Sequence, residues 1–360
     1  MKHDDQAPPA LKEVFRNDSR VGAALSWDQI SGREPDGLAL AERHFNTITP
    51  ENILKWEVVH PEPGRYDFEA ADRYVAFGEK HNMFIVGHCL VWFFQTPAWV
   101  FQDASGKPLS REALLERMKD HIFTVMGRYK GRIHAWDVVN EAITAEGGFR
   151  ESKWLEIVGE DYVQKAFEYA READPTAELY YNEYDEEKPA KCEGVVRLVR
   201  GLQSKGIRVD GVGIQGHWFL DYPGIEEIET SFVTLSQLGV KLMVTEMDVS
   251  VLPFYPVDAP MVDLASFDPA TQKKHNPYPD ALPDSVQETL AHRYAELFSL
   301  FHKHRDKLGR VTFWAVHDAQ SWRSYLPIRG RADYPMLFDR RLKPKPAFWA
   351  VVKMMEGGNK

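Results

Sequence analysis

The chain has 360 residues, 44% of them hydrophobic and 27% charged, with a formal net charge of −10 at pH 7. That size suits one large α/β domain with an ample core, and the negative charge disfavours nucleic acid or an anionic membrane as a partner. No apolar run approaches the roughly 20 residues that a membrane helix needs.

In chain order, the N-terminal stretch "MKHDDQAPPALKEVF" lacks the apolar centre of a secretion signal. Short apolar runs at 21–25, 45–49, 84–92, 133–140, 178–183, 209–217, 241–249 and 311–318 predict strands. Amphipathic patterns at 67–81, 110–129, 160–173, 189–205, 225–238 and 286–307 predict helices between them. "DSVQ" at 284–287 reads as a helix start, with Asp284 as cap and Gln287 three positions on. Cys89 and Cys192 are too few for a disulfide framework or a thiolate metal site, and two free thiols are expected.

Strands apolar on both faces and separated by helices indicate a parallel sheet covered by helices. Eight of them fit a closed (β/α)8 TIM barrel in a single domain. An open dinucleotide-binding sheet would need G-x-G-x-x-G after its first strand, and "VGAALSWDQ" has none.

Each strand becomes polar at its C-terminal end, where barrels of this kind build their sites. The residues so placed are Glu51, Asn52 and Lys55; His88 and Trp92; Asn140 and Glu141; and Asn182 and Tyr184. Further on come Gln215 and His217, Glu246 and Asp248, and His317 and Asp318. Glu141 and Glu246 end the fourth and seventh strands, and two carboxylates across one cleft suit glycosidic cleavage. Trp92, Trp99, Trp218, Trp314 and Trp322 lie at or beyond strand ends, where flat rings can stack on sugars. Some would instead only fill the top of the barrel. No metal centre is expected: the first strand ends without paired histidines, H-E-x-x-H is absent, and His88 and His217 stand singly.

"FNTITPENILKWE", "GHCLVW", "WDVVNEA", "YYNEYD", "GIQGHW", "VTEMDV" and "TFWAVHDAQSW" occur in that order. Together they resemble glycoside hydrolase family 10, the endo-β-1,4-xylanases, from about residue 11 to 352. The resemblance implies a retaining xylanase without cofactor or metal, its barrel spanning 11–355 behind an N-terminal extension of 1–10. It further implies Glu141 as acid/base, Glu246 as nucleophile, and Asn140 as ligand of the sugar 2-hydroxyl. His217 and Asp248 would keep the nucleophile ionised. Glu51, Asn52, Lys55, His88, Trp92, Gln95 and Gln215 would hold the non-reducing side of the xylan chain, Trp314 and Trp322 would enclose the central sugars, and Tyr184 would meet the leaving group. Xylan and xylo-oligosaccharides are the implied partners, and a monomer is expected. A polymeric substrate favours an exported enzyme whose signal has been removed; a cytoplasmic one is the alternative.

Three positions depart from the family pattern. Phe93 stands where His is common, Cys89 where Thr is usual, and His317 where a small hydroxyl residue is typical. The proline-rich stretch 250–284 is long for a barrel loop and is expected to wall the cleft, with a surface excursion as the alternative. A related β-glycosidase acting on cello-oligosaccharides, or a catalytically silent glycan-binding barrel, are the competing readings; the latter would be expected to lack one glutamate.

Overall fold

The strand residues are buried almost throughout, as a sheet covered on one face by helices and closed on itself requires. A computed structural model describes residues 8–256 and 259–358. Its barrel strands are β1 (Arg20–Leu25), β2 (Thr47–Pro50), β3 (Phe84–Val91), β4 (Ala135–Asn140), β5 (Glu178–Glu183), β6 (Gly211–Ile214), β7 (Lys241–Ser250) and β8 (Leu308–Phe313). Each pairs in parallel with the next, and β8 pairs with both β7 and β1, so the sheet closes without an edge.

A helix follows every strand: α1 (Pro35–His44), α2 (Glu69–Lys80), α3 (Arg111–Arg128), α4 (Tyr162–Ala173), α5 (Pro189–Ser204), α6 (Ile225–Ser236), α7 (Asp284–Lys303) and α8 (Pro346–Gly358). The predicted helices match α2 to α7 within a few residues. α1 and α8 were not anticipated. Asp284 is the first residue of α7 rather than its cap, because Pro283 occupies the capping position without a side-chain bond. Among the described residues, no helix is long and apolar enough to cross a membrane.

Two strand predictions ran too long. The run 209–217 breaks after Ile214, and His217–Phe219 forms a separate short strand against the outer end of β7. Gly216, at φ +77°, makes that break possible. The run 311–318 ends as a strand at Phe313, leaving Trp314–Asp318 in the loop above the barrel. Both interruptions lie at the cleft. Cys89 and Cys192 are free and buried.

Residues 250–284 carry structure of their own, apart from 257 and 258, which lie outside the described residues. Val262–Asp263 pairs with Ile328–Arg329, and Pro269–His275 is helical. Asn276 Oδ1 accepts the Ala332 amide at 2.9 Å, and the Tyr278 carbonyl accepts the Tyr334 hydroxyl at 2.9 Å. The excursion is thus stitched to the loop that follows β8.

Behind β3, His121 stacks on Trp56 with ring centres 3.6 Å apart, and His60 stacks on Tyr66 at 3.8 Å. The two imidazoles meet through Nδ1 atoms 3.3 Å apart, so at least one must be neutral. Burial pushes His60 down to about 4 and His121 well below its usual value. Burial also pushes His44, packed between Phe338 and Phe348, down to about 4. A base whose folded pKa is depressed stays neutral in the native state while the unfolded chain takes up the proton. Stability from these rings is therefore complete above about pH 6.5 and is lost as the pH falls toward 4. Each ring depressed to about 4 is expected to contribute a loss on the order of 3 kcal/mol at most between those limits, since each pKa unit corresponds to about 1.4 kcal/mol. Denaturant midpoints measured from pH 7 to 4 should show this slope, and a His60→Phe/His121→Phe double variant should reduce it, leaving the share of His44.

Candidate active site

The backbone ladder sets the floor of the site. Asn140 on β4 lies level with Asn182 on β5, which lies level with Gly213 on β6. Past the ends of β4 and β6 the ladder continues, reaching Glu246 within β7 rather than at its end: Glu141 N–H donates to the Asn182 carbonyl at 2.9 Å, Gln215 N–H to Glu183 at 2.8 Å, and Glu246 N–H to Gln215 at 2.8 Å. A Cβ on Gly213 would lie 2.3 Å from Asn182 Oδ1, so only glycine leaves that amide its place.

Side chains then join the two glutamates. Asn182 Nδ2 donates to Glu246 Oε1 at 2.6 Å and to Asn140 Oδ1 at 2.9 Å. Asn140 Nδ2 donates in turn to Glu141 Oε1 at 3.1 Å, and Gln215 Nε2 donates to the same oxygen at 2.9 Å. The other oxygen of Glu141 accepts the Trp92 indole N–H at 2.9 Å. Thr245 Oγ1 donates to Asn182 Oδ1 at 2.7 Å, which fixes which end of that amide faces Glu246.

The two carboxylates have different surroundings. Glu246 is buried, and burial alone would raise its pKa. The bond from His217 Nε2 at 3.3 Å and the charges of His88, His217 and Lys55 outweigh burial and hold it below the usual carboxylate range. His217 is the strongest of these partners. Its Nδ1 lies 2.9 Å from Asp248 Oδ2, and that carboxylate together with Glu246 overcomes burial to push His217 up to about 9. Asp248 is fixed by Trp322 Nε1 at 2.7 Å and by Arg323 Nε at 3.2 Å. Its pKa is also lowered: burial opposes ionisation, but the charges of His217 and Arg323 prevail.

On the opposite wall, Lys55 Nζ donates to Asn52 Oδ1 at 2.9 Å and to Gln95 Oε1 at 2.8 Å. The same ammonium lies 4.7 Å from the centre of the Trp92 ring. Glu51 stands beside this group, its pKa raised by burial against the pull of Lys55. His88 Nδ1 lies 2.9 Å from Asp137 Oδ2, and its ring meets Trp314 edge-on at 5.3 Å. Trp314 and Trp322 both approach His217 edge-on, at 6.3 and 5.1 Å. Tyr184 lies on the far side of Glu141, with its hydroxyl accepting from Arg150 Nη2 at 2.6 Å.

The two glutamates and the residues expected to bind substrate beside them therefore reach one cleft, either directly or through a bonded neighbour. Two of the five tryptophans do not: Trp99 is tied to the Pro61 carbonyl at 2.9 Å, and Trp218 is buried against Phe301. His317 bonds Glu34, which also accepts from Gln320 at 2.7 Å, so it braces the loop after β8. Sequence reading assigned no role to Asn182, although its place at a polar strand end was visible. Nor did it single out Asp137, whose signal was a charge inside an apolar run. Arg323 and Arg150 gave no signal, since each is brought to the cleft by the folding of an irregular loop. Among the described residues, no group of three or more His, Cys, Asp or Glu is placed to hold a metal ion.

The description of the family model that matches the chain, over residues 10–354, is "Glycosyl hydrolase family 10". An endo-1,4-beta-xylanase of Geobacillus stearothermophilus is 42% identical over 348 residues, covering 96% of this chain and 98% of that protein. Among solved structures, an endoxylanase retrieved from a sugarcane soil metagenome superposes with a TM-score of 0.90 at 43% identity, covering 96% of this chain and 99% of that one. An intracellular xylanase of Thermoanaerobacterium saccharolyticum, solved with xylotriose as a glutamate-to-alanine variant, gives 0.83 at 34% identity over 97% of this chain and 99% of that one.

The His217 arrangement predicts a pH effect. With the imidazolium gone, burial would dominate at Glu246 and raise its pKa. His217→Asn should therefore move the acid limb of kcat/KM upward by about one pH unit or more, measured on a nitrophenyl xylobioside.

Proposed function

The chain belongs to glycosyl hydrolase family 10, and on that premise we propose how its endo-1,4-β-xylanase activity runs: a retaining double displacement with Glu141 as acid/base and Glu246 as nucleophile. The observation that carries this division is the contrast between the two carboxylates. Glu246 sits at the barrel mouth with His217 and Asn182 on its two oxygens and is held ionised, as a nucleophile must be. Glu141 is partly exposed and accepts from Trp92, Asn140 and Gln215, on the side of the cleft where Tyr184 stands.

In the first step Glu246 attacks the anomeric carbon while Glu141 gives its proton to the departing glycosidic oxygen. In the second, Glu141 takes a proton from water, which attacks the same carbon and releases Glu246. Asn140 binds the 2-hydroxyl of the reacting sugar. Glu51, Asn52, Lys55, His88, Trp92, Gln95 and Gln215 hold the non-reducing side of the chain, Trp314 and Trp322 enclose the reacting sugar, and Tyr184 meets the leaving group. Residues 11–355 form the catalytic unit, with 1–10 as an extension, and a monomer suffices because the cleft is complete within one chain. Neither step calls for a cofactor.

Rapid mixing with an activated aryl xylobioside separates the two roles. Its leaving group needs no proton, so Glu141→Ala should show a burst of phenolate and then stall, while losing about 1,000-fold or more on xylan. Glu246→Ala should show no burst on any substrate, and the reverse pattern would exchange the roles. Substrate choice gives an independent test. A pocket closed by Trp314 and Trp322 leaves little room for the hydroxymethyl group of glucose, so kcat/KM should be higher on xylo- than on cello-oligosaccharides of equal length, by about 100-fold.

A further inference from the structure

Glu141 has a left-handed backbone, at φ +58°, which a residue with a side chain adopts only where its surroundings enforce it. The enforcing contacts can be traced. The Ala142 amide donates to the Tyr181 hydroxyl at 3.0 Å, and the Ile143 amide to Glu183 Oε2 at 3.0 Å. Glu183 is itself buried in an ion pair with Lys191 at 3.0 Å. These bonds hold the chain after Glu141. On Glu141 itself, the backbone carbonyl accepts Arg150 Nε at 3.0 Å, while Nη2 of the same guanidinium reaches the Tyr184 hydroxyl at 2.6 Å.

Phe93 covers the face of that guanidinium, with Cζ 4.7 Å from its ring centre. Phe93 is 39% exposed and follows Trp92, whose indole bonds the Glu141 carboxylate. A phenyl ring presents a neutral, electron-rich face on which a guanidinium stacks.

We propose that Arg150, capped by Phe93, is a positioning residue for proton donation: its two-point hold on the Glu141 carbonyl and the Tyr184 hydroxyl aims the Glu141 carboxyl at the glycosidic oxygen. The inference rests on Glu141 being the acid/base. It follows that Arg150 matters in proportion to the need for that proton. Lysine at this position keeps the charge but cannot span both oxygens with a planar fork.

The test compares Arg150→Gln, Arg150→Lys, Phe93→Ala and Glu141→Ala on xylohexaose and on an activated aryl xylobioside, with thermal midpoints recorded. Arg150→Gln should lose 10- to 100-fold in kcat on xylohexaose and less than 3-fold in the aryl burst rate. Arg150→Lys should remain at least 5-fold down on xylohexaose, and Phe93→Ala should show a smaller loss with the same selectivity. Equal losses on both substrates, as lowered stability would produce, would overturn the proposal. So would full recovery by lysine, or no loss on xylohexaose. If Arg150→Gln does not fold, the selectivity of Phe93→Ala decides the question. A selective Glu141→Ala beside unselective Arg150 and Phe93 variants defeats the positioning role alone. An unselective Glu141→Ala defeats the acid/base reading and this inference together.

Discussion

The site depends on one constraint, the level at which neighbouring parallel strands end. The ladder from β4 through β5 and β6 to β7 sets Asn140 beside Asn182 and carries on to Glu141 and Gln215, just past β4 and β6, and to Glu246 within β7. A slip of one residue in any of these pairings would turn the polar ends to the opposite face. The Glu246–Asn182–Asn140–Glu141 chain of hydrogen bonds is a consequence of that register. Closure of the barrel between β8 and β1 removes the edge at which a slip could begin.

Upon that frame the electrostatics are arranged by layers. The layer touching Glu246 consists of an amide and an imidazolium. Asp248 stands behind the imidazolium, and Trp322 and Arg323 stand behind Asp248. Glu246, His217, Asp248 and Arg323 each have a partner of opposite sign or a directed donor, which is the condition for keeping several ionised groups out of water. The same arrangement couples cleft shape to charge. Trp322, which meets His217 edge-on, also donates to the carboxylate that holds His217 charged.

The helices and loops decide how the cleft is walled. The excursion after β7 is pinned to the loop after β8 by a two-residue strand pair and by Asn276 and Tyr278, so these two loops form one rim. On the other rim, Phe93, Arg150 and Tyr184 come from three different loops and meet beside Glu141. Phe93 thus has a partner, and its chemistry suits that partner.

The sequence by itself determined the barrel, because strands apolar on both faces can be buried only in a helix-covered parallel sheet. It also determined the candidate carboxylates, because an unpaired charge at a strand end needs a shared polar pocket. It could not show where strands stop when the chain stays apolar beyond them, as at 214 and 313. Those limits follow from Gly216 and from the loop that carries Trp314. Nor could it separate Trp322, which faces Asp248, from Trp99 and Trp218, which fill space, since all three lie at or beyond strand ends. The partners of Glu141 were beyond sequence reading for the same reason. Arg150 and Tyr184 become neighbours only when the β4 and β5 loops fold back over the barrel mouth, and a hydrogen bond between loops leaves no period or spacing in the chain.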